Sequence, residues 1–298
     1  MVKKTSNAIK RTPGEWAFDI INTIILIQII VVTLYPFVYV LFASISNPSM
    51  IASHTGLLLW PIGFDLSSYK AVLENPNILM GYKNTIFYVL VGTSVSLLMT
   101  ILTAYVLSRK GYMLKRFLTF MAVFTMFFSG GLIPFYLQVN RLGLADTRWA
   151  LIFPAAMSTY NVIVMRTAFS SIPDSLEESA RIDGAQDFTI LFHIVLPLSL
   201  PTVAIMVLFY GVGQWNSWFN AMVFLRNRNL YPLQLILREI LILSDTSDMV
   251  TNMVVDREMI GETIKYATII ITTVPILLVY PFLQKYFVKG MMIGAVKE

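Results

Sequence analysis

The placement of charge limits this chain more than any other feature. A charged side chain at the centre of a membrane-spanning helix costs about 2.5–3.5 kcal/mol on insertion scales. A crossing needs roughly 20 predominantly apolar residues. Long stretches free of charge therefore mark where a chain can cross, and this sequence is built of them. One opens after Asp19 and is filled by IINTIILIQIIVVTLYPFVYVLFA, ending at Ala43. Others lie between Lys83 and Arg109, Arg116 and Arg141, Asp187 and Arg226, and Lys265 and Lys285. The shortest, Trp149 to Met165, extends to Phe169 if Arg166 snorkels. Composition agrees: the 298 residues are 56% hydrophobic and 13% charged, where a soluble globular chain carries roughly 25% charged residues.

The windows predict an all-α membrane protein with six transmembrane helices in a single domain over residues 1–298. The spans fall near 20–43, 84–107, 117–139, 149–169, 198–223 and 266–284. Six crossings leave both termini on one side. Lys3, Lys4, Lys10 and Arg11 precede the first span, and Arg109, Lys110, Lys115 and Arg116 sit between the second and third. Dense basic patches close to spans lie inside, so the N- and C-termini are expected to be cytoplasmic. Residues 166–196 then form the largest cytoplasmic loop, and 224–264 an outer loop. The first apolar run exceeds the roughly 7–15 residues of a signal-peptide core and no small-residue cleavage site follows, so it reads as a retained helix. PLQLILREIL after Pro232 is too short for a span and contains Arg238 and Glu239; it reads as an outer-surface amphipathic helix.

Several chemistries have no residues to work with. The chain has no Cys and two His, His54 and His193, neither with a metal-ligand neighbour at helical spacing. No G-x-x-x-x-G-K-[ST] stretch is present, so the chain has no phosphate-cradling loop of its own. Among carboxylates, Asp245 to Glu262 is rich but shows no catalytic spacing.

The cytoplasmic loop is ordered by its own sequence. Pro173-Asp174 followed by Glu177 predicts a helix start, with Asp174 as cap and Glu177 at the third helical position. Glu177 and Arg181 stand four apart, the spacing of a surface pair. Gly184 suits a helix end or sharp turn. Phe188, Leu191, Phe192 and Val195 then repeat as a second apolar face, and Pro197 allows a new helix to begin.

Glu178-Ser179-Ala180, three residues, Gly184, nine residues, then Ile194-Val195-Leu196-Pro197 resembles the E-A-A-x3-G-x9-I-x-L-P signature. That signature belongs to membrane (permease) subunits of binding-protein-dependent ABC importers; Ser179 departs from the usual Ala. KNTIFYVLVGTSVSLLMTILTAYVLSRK, QWNSWFNAMVFL and YPLQLILREIL resemble the carbohydrate-uptake branch, the subfamily importing complex oligosaccharides. The resemblance covers nearly the whole chain. It implies a type I ABC importer permease fold in a bacterial cytoplasmic membrane. It also implies that the loop docks into a separate ATP-binding subunit and transmits its closure to the spans. Glu177, Glu178, Ser179, Ala180, Asp183, Gly184, Ala185, Ile194, Leu196 and Pro197 are the coupling residues it points to. No catalytic residue and no cofactor are implied on this chain; ATP and Mg belong to partners. Those partners are a second homologous permease subunit, two cytoplasmic ATP-binding subunits and an extracytoplasmic substrate-binding lipoprotein.

A path for an oligosaccharide needs polar or aromatic groups inside apolar spans. Gln214, Trp215, Asn216, Trp218 and Asn220 form the densest cluster. Amides can exchange hydrogen bonds with sugar hydroxyls and flat rings can cover a pyranose face, but Trp also anchors at membrane boundaries and amides also glue helices. Gly130, Gly131 and Pro134 can kink the third span. A permease for a non-sugar solute and an ion-coupled secondary transporter stay open as alternatives; the charge-free windows argue against proton coupling through carboxylates.

Overall fold

The computed structural model describes residues 12–250, 263–278 and 281. Among the described residues the chain is helical, with one isolated bridge between Ser46 and Phe64. It divides into two compact units. Within the described residues the smaller comprises 12–70 and 263–270, and the larger 71–250 with 271–278 and 281.

The smaller unit begins with α1, Pro13–Ser44. Its start is a capping box: the Glu15 N–H donates to Thr12 Oγ1 at 3.3 Å, and the Thr12 N–H donates to Glu15 Oε2 at 2.8 Å. At 1.5 Å per residue, its 32 residues reach about 48 Å, well beyond the roughly 30 Å of a hydrocarbon core. None of its most apolar 18-residue stretch is buried within the chain. Only its end is covered, where Ala43, Ile51 and Leu58 form a small core beside Tyr39 and Tyr266. Ser68 donates to Thr263 at 2.7 Å in the same unit.

The axis of the larger unit is a helix over Pro76–Ser108, α2. A wide π turn at Tyr88–Gly92 interrupts its regular winding. The helix over Leu200–Trp215, α3, packs against it through small groups: a Cβ on Gly92 would lie 2.8 Å from Gln214 Nε2. Thr100 and Tyr210 hydroxyls join across the pair at 2.6 Å. Outside, the helix over Leu233–Val250, α4, is capped by α2: Thr85 Oγ1 accepts the Leu233 N–H at 2.8 Å. The stretch after Pro232 is thus a helix as expected, with Leu233, Leu235 and Ile236 buried.

Three predicted spans are broken. The third window is two helices, Lys115–Phe127 and Leu132–Arg141, bent by 119°. Gly131 sits at φ 82 in the gap, a conformation glycine adopts without strain, so what sequence suggests as a kink is a full corner. The fourth window holds a short helix, Trp149–Ile152, then Pro154, then Thr159–Ser170. The fifth ends at Trp215 and resumes as Phe219–Phe224. Two described helices, α1 and α2, are long and apolar enough to cross a membrane, or up to 4 counting each bent pair as one. Residues 279–284 of the sixth window, except 281, and most of the 251–264 loop lie outside the described residues.

Candidate functional site

The loop after residue 170 folds as the sequence suggests in outline and differently in its pairings. A helix runs over Asp174–Ile182 and Gly184 follows at φ 84. The Gly184 N–H donates to the Arg181 carbonyl at 3.1 Å, and the Ala185 N–H to the Ala180 carbonyl at 2.9 Å. These are the two bonds of a Schellman ending, which needs a left-handed residue at this place. The chain then re-enters a helix at Asp187, winds through a π turn at Leu191–Val195 and ends at Leu198. An 86° bend leads into α3.

Asp174 does not cap the helix. Pro173 holds the cap position without a side-chain bond, and the Asp174 carboxylate pairs with Lys110. Glu177 does not pair with Arg181 either. It is 9% exposed and pairs with Arg109, while Arg181 reaches Asp187 at 2.5 Å. Arg109 is held in turn: Nε donates to Ser108 Oγ at 2.9 Å, Nη2 to the Phe169 carbonyl at 3.4 Å, and the guanidinium lies over the Tyr105 ring at 4.8 Å. Lys115 donates to the Arg109 carbonyl at 3.1 Å. The basic turn after α2 is therefore a brace for the loop helix. Burial pulls the Arg109 guanidinium down from its ordinary range, and the hydrogen bond to Asp174 pushes the Lys110 ammonium up.

Magnitudes separate these contacts. Lys110 and Asp174 are mostly exposed, so water screens their attraction and the pair adds little to stability. Arg109 and Glu177 are largely enclosed; removing one partner from a buried pair costs about 3–5 kcal/mol. Apolar burial holds the second half of the loop. Ile190, Leu191 and Val195 are buried in a core shared with Ile101, Ala104, Met165 and Met206, at about 1.5–3 kcal/mol for each of the larger side chains. Ala180, Ala185 and Leu196 pack against the same core.

The expected second face is wrong in its phenylalanines. Phe188 is 66% exposed and Phe192 47%, stacked on each other outside. The π turn is the reason: it adds a residue to the winding and brings Ile190 and Val195, five apart, to one side. Ile182, 86% exposed, joins the phenylalanines as uncovered apolar surface on this loop. Of the other loop residues, Glu178, Ser179, Asp183, Gly184 and Pro197 are exposed, and Ile194 is half-buried.

A second site lies at the break after α3. A cavity of about 340 Å³ is lined by Gln214, Asn216, Trp218 and Asn220, with Tyr210 and Leu151. Trp215 is not among its walls. Its Nε1 donates to the Thr272 carbonyl at 3.3 Å and its ring packs edge-on to Tyr82. Asn216 ends α3 and Asn220 lies on the next helix, Phe219–Phe224, yet both line this cavity. Trp218 carries the Arg238 guanidinium at 4.1 Å from its ring. The helix that closes this side is pinned by Asp146: its N–H donates to the Phe224 carbonyl at 2.8 Å, and its Oδ1 accepts the Arg226 and Asn227 N–H groups at 2.8 Å. Those backbone bonds hold the Asp146 carboxyl below its usual range.

With this geometry in place, residues 78–293 match the family described as binding-protein-dependent transport system inner membrane component. The chain belongs to that family. The permease is 40% identical over 290 residues to protein LplC of Bacillus subtilis (strain 168), covering 96% of this chain and 97% of that one. It is 40% identical over 285 residues to the polygalacturonan/rhamnogalacturonan transport system permease protein YtcP of the same organism, covering 94% and 98%. It superposes with a TM-score of 0.86 and 34% identity on a chain of a bacterial ABC transporter involved in the import of the acidic polysaccharide alginate, covering 93% of this chain and 99% of that one. The permease thus has the ABC importer fold and is a transport subunit.

Sequence reasoning missed the bracing residues of the permease. Arg109 and Lys110 read as orientation signals, and their role rests on contacts some 65 residues away in sequence. A signal exists: a turn with Arg109, Lys110, Lys115 and Arg116 and a loop with Asp174, Glu177 and Glu178 fall on the same membrane side in the six-span reading. Tyr210 and Leu151 were missed as cavity walls because neither stands out in an apolar run. Among the described residues, His193 Nδ1 lies 3.2 Å from the Thr189 carbonyl.

Proposed function

We propose that this permease carries an oligosaccharide, a fragment of a polysaccharide, from an extracytoplasmic binding lipoprotein into a bacterial cytoplasm. The names of YtcP and of the alginate transporter support this cargo. It does so with a second permease chain and two ATP-binding subunits that hold ATP and Mg; this chain binds no cofactor and breaks no bond. Its bent pairs and its short helices complete six crossings, with both termini in the cytoplasm.

One observation carries the proposal. The helix over Asp174–Ile182 is fixed to α2 by the Arg109–Glu177 pair, yet it leaves Ile182 and, beyond Gly184, Phe188 uncovered. A segment rigid toward its own bundle and apolar on its free side is what force transfer from a partner requires. Glu177, Ala180, Ala185, Ile194 and Leu196 serve the rigid side; Glu178, Ser179 and Asp183 face the partner, with Gly184 setting the angle and Pro197 starting the next helix. Gln214, Asn216, Trp218 and Asn220 contact the sugar at the break in α3; Trp215 orients that break.

The test is Gly184→Val in the reconstituted importer. A Cβ there meets nothing within 4 Å, but φ 84 strains any side chain, by about 1–2 kcal/mol. Membrane insertion should match the native protein while ATP-driven uptake is lost. Uptake at the native rate would overturn the transmission role.

A further inference from the structure

Among the described residues of the larger unit, two arginines stand near other cations without an acid. Arg116 lies in the first turn of the helix over Lys115–Phe127, and Arg166 in the helix over Thr159–Ser170. The ion pairs of this region use Arg109, Lys110 and Arg181. Arg116 and Arg166 make none and have no side-chain hydrogen bond.

Both arginines line one cavity, of about 650 Å³, with Lys115, Thr119, Phe120 and Val123. None of the lining residues is acidic. Burial, and then the nearby charges of Arg166, Arg109 and Lys110, pull the Lys115 ammonium below its ordinary range. The helix start adds to the imbalance. A helix N-terminus favours an anion, and this one opens with two cations and no acidic residue in its first turn. Thr119 Oγ1 is buried in the cavity wall without a hydrogen-bond partner.

We infer that the Lys115–Arg116–Arg166 cavity binds the phosphodiester headgroup of an anionic phospholipid, with the acyl chains lying along the helix over Lys115–Phe127. The apolar continuation decides between a lipid and a free phosphate. Phe117, Phe120 and Phe124 are exposed on that helix beyond the cations. A soluble anion would neutralise the charge and leave those rings bare; a lipid covers both, the arrangement expected of a basic pocket between helices at a membrane surface. The inference depends on the chain being a membrane permease and not on its cargo.

The purified full importer, in mixed micelles, is titrated with phosphatidylglycerol or phosphatidylcholine, and lipid retention is read by native mass spectrometry. Phosphatidylglycerol should be retained preferentially. The double variant Arg116→Gln/Arg166→Gln should weaken its retention by roughly fivefold per arginine, about 25-fold in all. Arg116→Lys/Arg166→Lys should keep most of it, and Arg141→Gln, outside the cavity, all of it. Equal retention of the two lipids by the native complex overturns the inference without any variant. So does a double variant that binds as the native protein does, or one that loses no more than Arg141→Gln. Stripping of the lipid by inorganic phosphate at equal concentration would make this a free-anion site instead.

Discussion

The loop helix and the cavity at the end of α3 are built on opposite terms. Around Asp174–Ile182 the permease uses formal charge: Arg109 with Glu177, Lys110 with Asp174, Arg181 with Asp187. Around Gln214 to Asn220 the walls carry amides, hydroxyls and rings but no charged side chain, and the Arg238 guanidinium lies over the face of Trp218. The first arrangement resists displacement. The second offers many weak contacts and no deep electrostatic well, which suits the sugar path proposed for it as rigidity suits the transmission role proposed for the loop.

Breaking the enclosed pair tests this contrast hardest. Arg109→Gln leaves Glu177 unpartnered and should destabilise the loop helix by about 3–5 kcal/mol. Hydrogen exchange over residues 174–182 should accelerate, uptake should fall, and Glu177→Gln added to it should recover much of both. Exchange unchanged in Arg109→Gln would mean that apolar burial alone fixes the loop. Next, Ile182→Asp and Phe188→Asp remove exposed surface, so the melting temperature should barely move, within about 0.5 kcal/mol, while uptake drops; a variant that transports normally would leave that surface without a role. At the cavity, Trp218→Ala should raise the sugar concentration for half-maximal uptake by roughly fivefold, the loss of about 1 kcal/mol of ring contact. An unchanged value would assign Trp218 to packing against Arg238. The smallest effect concerns Asp146. Its carboxyl is lowered by the Asn227 and Arg226 amides, so it stabilises the fold above the ordinary aspartate range, near pH 4, and loses that contribution as pH falls through the folded value. Asp146→Asn should flatten this acid limb in a thermal melt followed against pH; an identical limb would place the acid sensitivity elsewhere.

The first two expected spans fall within α1 and α2, legible because charge is costly in lipid; the corners were not legible. Gly131 at φ 82 and the stops at Pro154 and Asn216 lie inside apolar windows, where counting charges is blind to direction. The loop turn was legible at Gly184, since a left-handed ending favours glycine. The buried face beyond it was not, because a π turn shifts the 3.6-residue period on which such readings rely. Family membership could be read from a few residues of that loop, but the Arg109–Glu177 latch needed folded coordinates. Of the cavity, four proposed residues do meet at one wall and Trp215 faces away, a matter of one step around a helix.

The exposed first helix carries its own lesson. None of the most apolar stretch within Pro13–Ser44 is buried among the described residues, so its side chains answer to solvent quality more than to shape. Trimming Ile24, Ile27 or Val31 to Ala should cost the fold little, whereas the same change at Ile190 or Met206, both 0% exposed, opens a void. The permease therefore has one rod that behaves as interchangeable upholstery and a frame that behaves as fitted joinery.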